Sequence, residues 1–268
     1  MIDYKQKERY TLEDFREIVA LLRHPGGCPW DQVQTHHSIR RNLLEETYEL
    51  LEAIDTENQE LMEEELGDVM MQVLFHASME EDAGHFDIED VADHACKKLI
   101  FRHPHVFGDV QVECVEEELS IWDELKRSEK HHTSYADTLD AVARTLPATW
   151  RAEKLQKKAA KAGFDWPDIS GQMNKVEEKL SEVKQALAEG RQEHIFEEIG
   201  DLLFAAVNLS RRAGVDPEFA LNAANEKFLR RFAATEALLE GDMAQHSLEE
   251  QLAAYRQAKQ AIQEEPQT

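Results

Sequence analysis

Apolar residues recur along this chain at helical spacing, in blocks separated by polar, glycine- and proline-bearing breaks. Leu12, Phe15, Ile18, Val19 and Leu22 make one stripe, with Thr11 placed to cap it, and predict a helix over residues 11–23. Residues 24–31 then break the pattern, and Trp30 within them reads as an anchor of that loop on the core. From Leu43 a second pattern runs through Leu50, Leu51 and Ile54. A polar stretch at 55–59 interrupts it, and Leu61, Leu66, Val69, Met70, Val73 and Leu74 resume it. Two helices joined by so short a turn pack antiparallel. Further helices are predicted near residues 88–101, 113–127 and 147–161, with residues 103–108 a loop and the polar stretch 128–138 a linker. No alternating strand pattern interrupts these blocks, so the expected fold is all-α.

The chain has 268 residues, enough for two domains. It carries 55 acids against 30 bases, for a formal charge of −25. That balance argues against a nucleic-acid or anionic-membrane surface, while leaving room for a small anionic ligand in a local basic pocket. No apolar run reaches membrane-span length, and the N-terminus lacks a signal-peptide core. Cys28, Cys96 and Cys114 are odd in number and have no metal-finger spacing, which fits a reducing cytoplasm.

The acids are not spread evenly. Side chains three apart share a helix face, so Glu46 and Glu49 pair on one helix of the hairpin and Glu65 and Asp68 on the other. Apolar neighbours around Glu65 and Asp68 place that second pair close to the core. Four facing carboxylates repel unless a proton or cation intervenes, and an all-oxygen set suits Mg2+ or Mn2+ with a phosphate completing the shell. A solvated acidic face is the plain alternative. A di-iron bundle would need Glu-x-x-His, which neither pair offers, and Cys28, His36 and His37 have no common zinc spacing.

The pattern then repeats. At one offset Glu45 corresponds to Glu178, Glu49 to Glu182, and Glu65-Leu66-Gly67-Asp68 to Glu198-Ile199-Gly200-Asp201. Trp122 and Lys126 correspond to Tyr255 and Lys259, and after a small shift Lys98 and Arg102 correspond to Lys227 and Arg231. Retention of acids at the same spacing in two copies weakens the solvated-face reading. Glu46 is the exception, because Lys179 stands at its counterpart. The expected organisation is a first repeat over 1–128, a linker over 129–138 and a second repeat over 139–268.

EETYE followed by ELGD resembles the EExxE…ExxD signature of the MazG family of all-α nucleoside triphosphate pyrophosphohydrolases. GGCPWD, RHPHVFGD, GFDW and NEKFLRRF resemble the tandem-repeat members, so the similarity spans about residues 11–261. The resemblance implies two tandem MazG-like repeats, a four-helix-bundle core completed by homodimerisation, and Mg2+-dependent hydrolysis of triphosphates to monophosphate and pyrophosphate. It carries the metal set onto Glu46, Glu49, Glu65 and Asp68, and onto Glu182, Glu198 and Asp201. Phosphate-contacting bases would be Lys98, Arg102, Lys227 and Arg231. Trp122, Lys126, Tyr255 and Lys259 would face the nucleotide, and Trp30 has a second reading as a nucleobase wall. Glu45, with Glu178 as its counterpart, neighbours the ligand set and would orient or deprotonate a water, or simply form a salt bridge. The competing expectation is a non-catalytic Mg2+- or nucleotide-binding scaffold that oligomerises. Lys179 removes an oxygen ligand from the second set and implies weaker Mg2+ binding there.

Overall fold

The acidic hairpin forms where the polar interruption places it. In the computed structural model, α2 (Arg40–Asp55) and α3 (Gln59–Asp82) are joined by three residues, and the Asn58 side chain caps α3 by accepting from the Leu61 amide. The structure describes residues 4–111, 114, 121, 122, 125, 126, 129, 134–239 and 241–264. Among them are eleven α-helices and no strand. The chain divides into two compact units, Met1–Lys126 and Arg127–Thr268.

In the first unit, α1 (Leu12–Arg23) begins at a capping box in which Thr11 and Asp14 satisfy each other's backbone amides. It packs on α3, and Val19, Ile39, Leu74, Phe75 and Met79 form the core between them. Helix α4 (Ile88–Arg102), capped by Asp87 and Asp90, packs on α3 as well. Two expectations change here. Residues 103–108 are not all loop: Pro104–Phe107 forms a short helix, α5, because a proline at the first helical position has no amide to satisfy. Trp30 does not anchor its loop, being 57% exposed. The helix expected over 113–127 lies largely outside the described residues.

The second unit opens with α6 (Tyr135–Asp140), which begins inside the stretch read as linker and runs past its end. Its polar composition conceals a capping box, Ser134 with Asp137, which starts a helix without an apolar stripe. Then come α7 (Ala148–Lys161), α8 (Ile169–Glu189), α9 (Gln192–Arg212), α10 (Pro217–Leu238) and α11 (Leu248–Glu264). Helices α8 and α9 form the hairpin equivalent to α2 and α3, turned at Gly190, whose φ of 69° suits a residue without Cβ. Helix α7 lies against both α9 and α10. Trp150 on α7 donates to the Asp216 carboxylate at 3.1 Å and meets Phe219 edge-on at 5.8 Å.

A buried polar seam ties the second hairpin together. Gln172, 1% exposed, donates to the Ala205 carbonyl at 3.0 Å and accepts from Asn208 at 2.9 Å. Gln156 on α7 donates to the Phe204 carbonyl at 2.8 Å. Gln172→Ala removes both hydrogen bonds and leaves a cavity, so an expected loss of about 2–4 kcal/mol follows, measurable by urea denaturation.

Candidate active site

Three carboxylates converge in the first unit. Carboxylate oxygens of Glu46, Glu49 and Glu65 all lie within 4.8 Å of one another. The hairpin causes this: three-residue spacing on α2 aligns Glu46 with Glu49, and the antiparallel return brings Glu65 opposite. Glu65 is only 6% exposed, and its Oε2 has no hydrogen-bond partner among the described residues. Burial, then the charges of Glu49 and Asp68, push the Glu65 carboxyl above its ordinary value. Burial, then Asp68, Glu49 and Glu65, do the same to Glu46. Asp68 therefore belongs to the same electrostatic cluster.

These residues fit a hard divalent cation. A buried carboxylate oxygen without a donor costs about 1–3 kcal/mol or more, and repulsion among its neighbours adds to that. Oxygens on opposite sides of one Mg2+ stand roughly 4 Å apart, so little closure of the present group is needed.

The surrounding residues are placed less uniformly. Glu45 is exposed and paired with Arg41 at 2.8 Å, so of its two expected roles the structure holds the salt bridge. Lys98 is half-buried on α4, the helix packed against the carboxylate-bearing α3. Arg102 is buried at the end of α4, with its guanidinium 5.4 Å from the Trp122 ring centre. The His103 ring meets Trp122 edge-on at 4.8 Å. Lys126 is half-buried.

The second unit has a different centre. Glu182, Glu198 and Asp201 also converge, but around the Lys179 ammonium, at 2.7, 3.3 and 2.6 Å. Glu178 turns away and pairs with Lys175 at 2.7 Å. Beside Lys179 and Asp201 opens a cleft of about 810 Å3, walled by Leu155, Trp166 and Phe204 with Gln156 and Gln172 behind. Lys227, Arg231, Tyr255 and Lys259 lie on α10 and α11, joined where Phe228 meets Tyr255 at 6.4 Å, and none of the four lines this cleft. Sequence reasoning missed Gln156, Gln172 and Asn208, since isolated amides on helices carry no periodic signal.

The sequence profile of the MazG nucleotide pyrophosphohydrolase domain matches the chain twice, over residues 34–107 and 171–234. The chain belongs to the MazG family. Each MazG match contains one carboxylate-bearing hairpin. A MazG nucleoside triphosphate pyrophosphohydrolase/pyrophosphatase of Thermotoga maritima is 45% identical over 231 residues, covering 85% of this chain and 88% of the relative. A nucleoside triphosphate pyrophosphohydrolase of Escherichia coli K12 is 44% identical over 227 residues, covering 83% and 86%. The uncharacterised protein YabN of Bacillus subtilis is 48% identical over 255 residues, covering 94% of this chain and 52% of YabN.

Proposed function

We propose that this MazG-family chain hydrolyses nucleoside triphosphates to the monophosphate and pyrophosphate, with Mg2+ held in the first repeat. The close group of Glu46, Glu49 and Glu65, whose buried member has an oxygen without a hydrogen-bond partner among the described residues, carries the reading. Family membership sets the reaction class. Glu46, Glu49, Glu65 and Asp68 would hold the ion. When bound, Mg2+ neutralises triphosphate charge and lowers the pKa of a coordinated water, and Mn2+ shares its preference for oxygen.

The chain's own bases supply the rest. Lys98 offers an ammonium to phosphate oxygens, and Arg102 a fork of donors whose orientation the Trp122 contact restricts. Glu45 orients water only after releasing Arg41, which makes it a positioning group rather than the base. Trp122 with Lys126 gives the nucleoside a flat wall and a charge. In the second repeat, Lys227, Arg231, Tyr255 and Lys259 form the corresponding nucleotide-facing set. Trp122→Ala is expected to raise KM about tenfold through lost stacking. A fall in kcat alone would make Trp122 an orienter of Arg102 instead.

We also infer a homodimer. On the hairpin of the first unit, Leu44, Tyr48, Leu66, Met70 and Val73 are 38–55% exposed, an apolar surface that a second copy of the bundle would cover. A monomeric mass by light scattering at low micromolar concentration would contradict this. The three cysteines are free, and no helix of the described residues is long and apolar enough to cross a membrane; a cytoplasmic setting suits both.

The direct test is pyrophosphate release from a panel of standard and modified triphosphates, with and without Mg2+. Binding without release across the panel would leave the scaffold reading standing.

A further inference from the structure

The second repeat does not fit the divalent cation that its family membership implies. Lys179 stands where the first repeat has Glu46, and its ammonium lies within 3.3 Å of all three remaining carboxylates. The Lys179 side chain is 15% exposed and that of Glu198 is 12% exposed, so this contact is enclosed, while Glu182 and Asp201, at 37% and 51%, lie on the solvent side of the group. Glu198 Oε2 accepts from Lys179 at 3.3 Å, and His194 Nε2 lies 3.5 Å from its Oε1. Glu182 meets the ammonium through Oε2 at 2.7 Å, obliquely enough that the contact is an ion pair without a well-aligned hydrogen bond. Among the described residues, the buried Glu65 oxygen of the first repeat likewise lacks a hydrogen bond, but no ammonium stands beside it as Lys179 stands beside Glu182.

We propose that Lys179 is a built-in cation: its ammonium takes the place of the metal, so the second repeat binds no divalent ion and hydrolysis is confined to the first. Only the clause on hydrolysis rests on the function proposed above. The physical logic is substitution of charge for charge. Three carboxylates with one ammonium leave a formal charge of −2, where the first set with its four carboxylates carries −4. A divalent ion entering the second set would have to displace a charge already seated at contact distance, at a centre that has lost one oxygen ligand. The same neighbours, Asp201 first and Glu182 next, hold the Lys179 amine well above its ordinary value. The two halves become unlike in chemistry while alike in fold: one set needs an ion to be neutralised, the other carries its own.

The test counts metal, not turnover. In the full chain with the first set disabled by Glu49→Gln and Glu65→Gln, Mn2+ is titrated and the free ion followed by electron paramagnetic resonance. No specific Mn2+ binding is expected. Adding Lys179→Glu restores four carboxylates and should raise Mn2+ affinity at least about tenfold. Lys179→Met, which removes the ammonium without adding a ligand, should make thermal stability newly dependent on Mn2+. The proposal is overturned if the disabled chain with Lys179 intact still binds Mn2+ and loses it on Asp201→Asn. It is also overturned if neither Lys179 variant gains any response to the ion. A wild-type chain that binds no Mn2+ would instead remove the proposed function, while gain of binding in the Lys179→Glu chain would still uphold the role of Lys179.

Discussion

Glu65→Gln is expected to lower kcat/KM about 100- to 1000-fold, and chelation with EDTA to abolish turnover altogether. The side chain is nearly isosteric, so shape is kept while one charged oxygen ligand becomes an amide. Lewis-acid stabilisation by a bound ion is worth several kcal/mol in the transition state, and each 1.36 kcal/mol is about tenfold. Glu65 is the sharpest position for this substitution, because it is buried and its Oε2 has no hydrogen-bond partner among the described residues. Helicity should be unchanged, since none of these residues donates a hydrogen bond to that oxygen. If circular dichroism and kcat/KM both stay at wild-type levels with Mg2+ present, Glu65 is not a ligand. If both fall together, its role is structural.

The second large effect is on stability. Burial and neighbouring carboxylates raise the Glu46 and Glu65 carboxyls above the ordinary 4.5. The metal-free folded state therefore holds more protons than the unfolded chain at and above that pH. The contribution of these two carboxyls to stability is fully present below pH 4.5 and is lost as pH rises through their raised values. A divalent ion reverses the trend by taking the protons' place. At Mg2+ near 100 times Kd the melting temperature of the first unit should rise about 5–10 °C at neutral pH, and the increment should vanish in acid. Calorimetry across pH, with Mg2+ and with EDTA, measures both arms. An increment that stays constant from acid to neutral pH would contradict the linkage.

Much of the first site was readable from residue order alone. The apolar run around Glu65 and Asp68 suggested that both lie near the core; Glu65 is buried and Asp68 half-buried, and the short polar break correctly made α2 and α3 a hairpin. Helix ends were readable where a side chain marks them, as at Thr11. What escaped had weaker local signals. Ser134 and Asp137 start a helix that has no apolar stripe, so composition alone suggested a linker. Pro104, usually read as a breaker, begins α5 because it sits at the first helical position. Trp30 is exposed although its chemistry favours burial. The Lys179 substitution was legible, and so was a weaker hold on Mg2+, but the contacts of its ammonium were not. The spacing showed a missing oxygen ligand; only the distances to Glu182, Glu198 and Asp201 show that the ammonium gathers all three.

The most direct measurement is the identity of the products. A nucleoside triphosphate incubated with the full chain and Mg2+ can be followed by phosphorus-31 nuclear magnetic resonance. Pyrophosphate and nucleoside monophosphate should grow in together at equal rates, with no orthophosphate or nucleoside diphosphate signal, and neither should form in EDTA. Release of orthophosphate with nucleoside diphosphate, or turnover that survives chelation, would contradict a metal-dependent cleavage between the α- and β-phosphates.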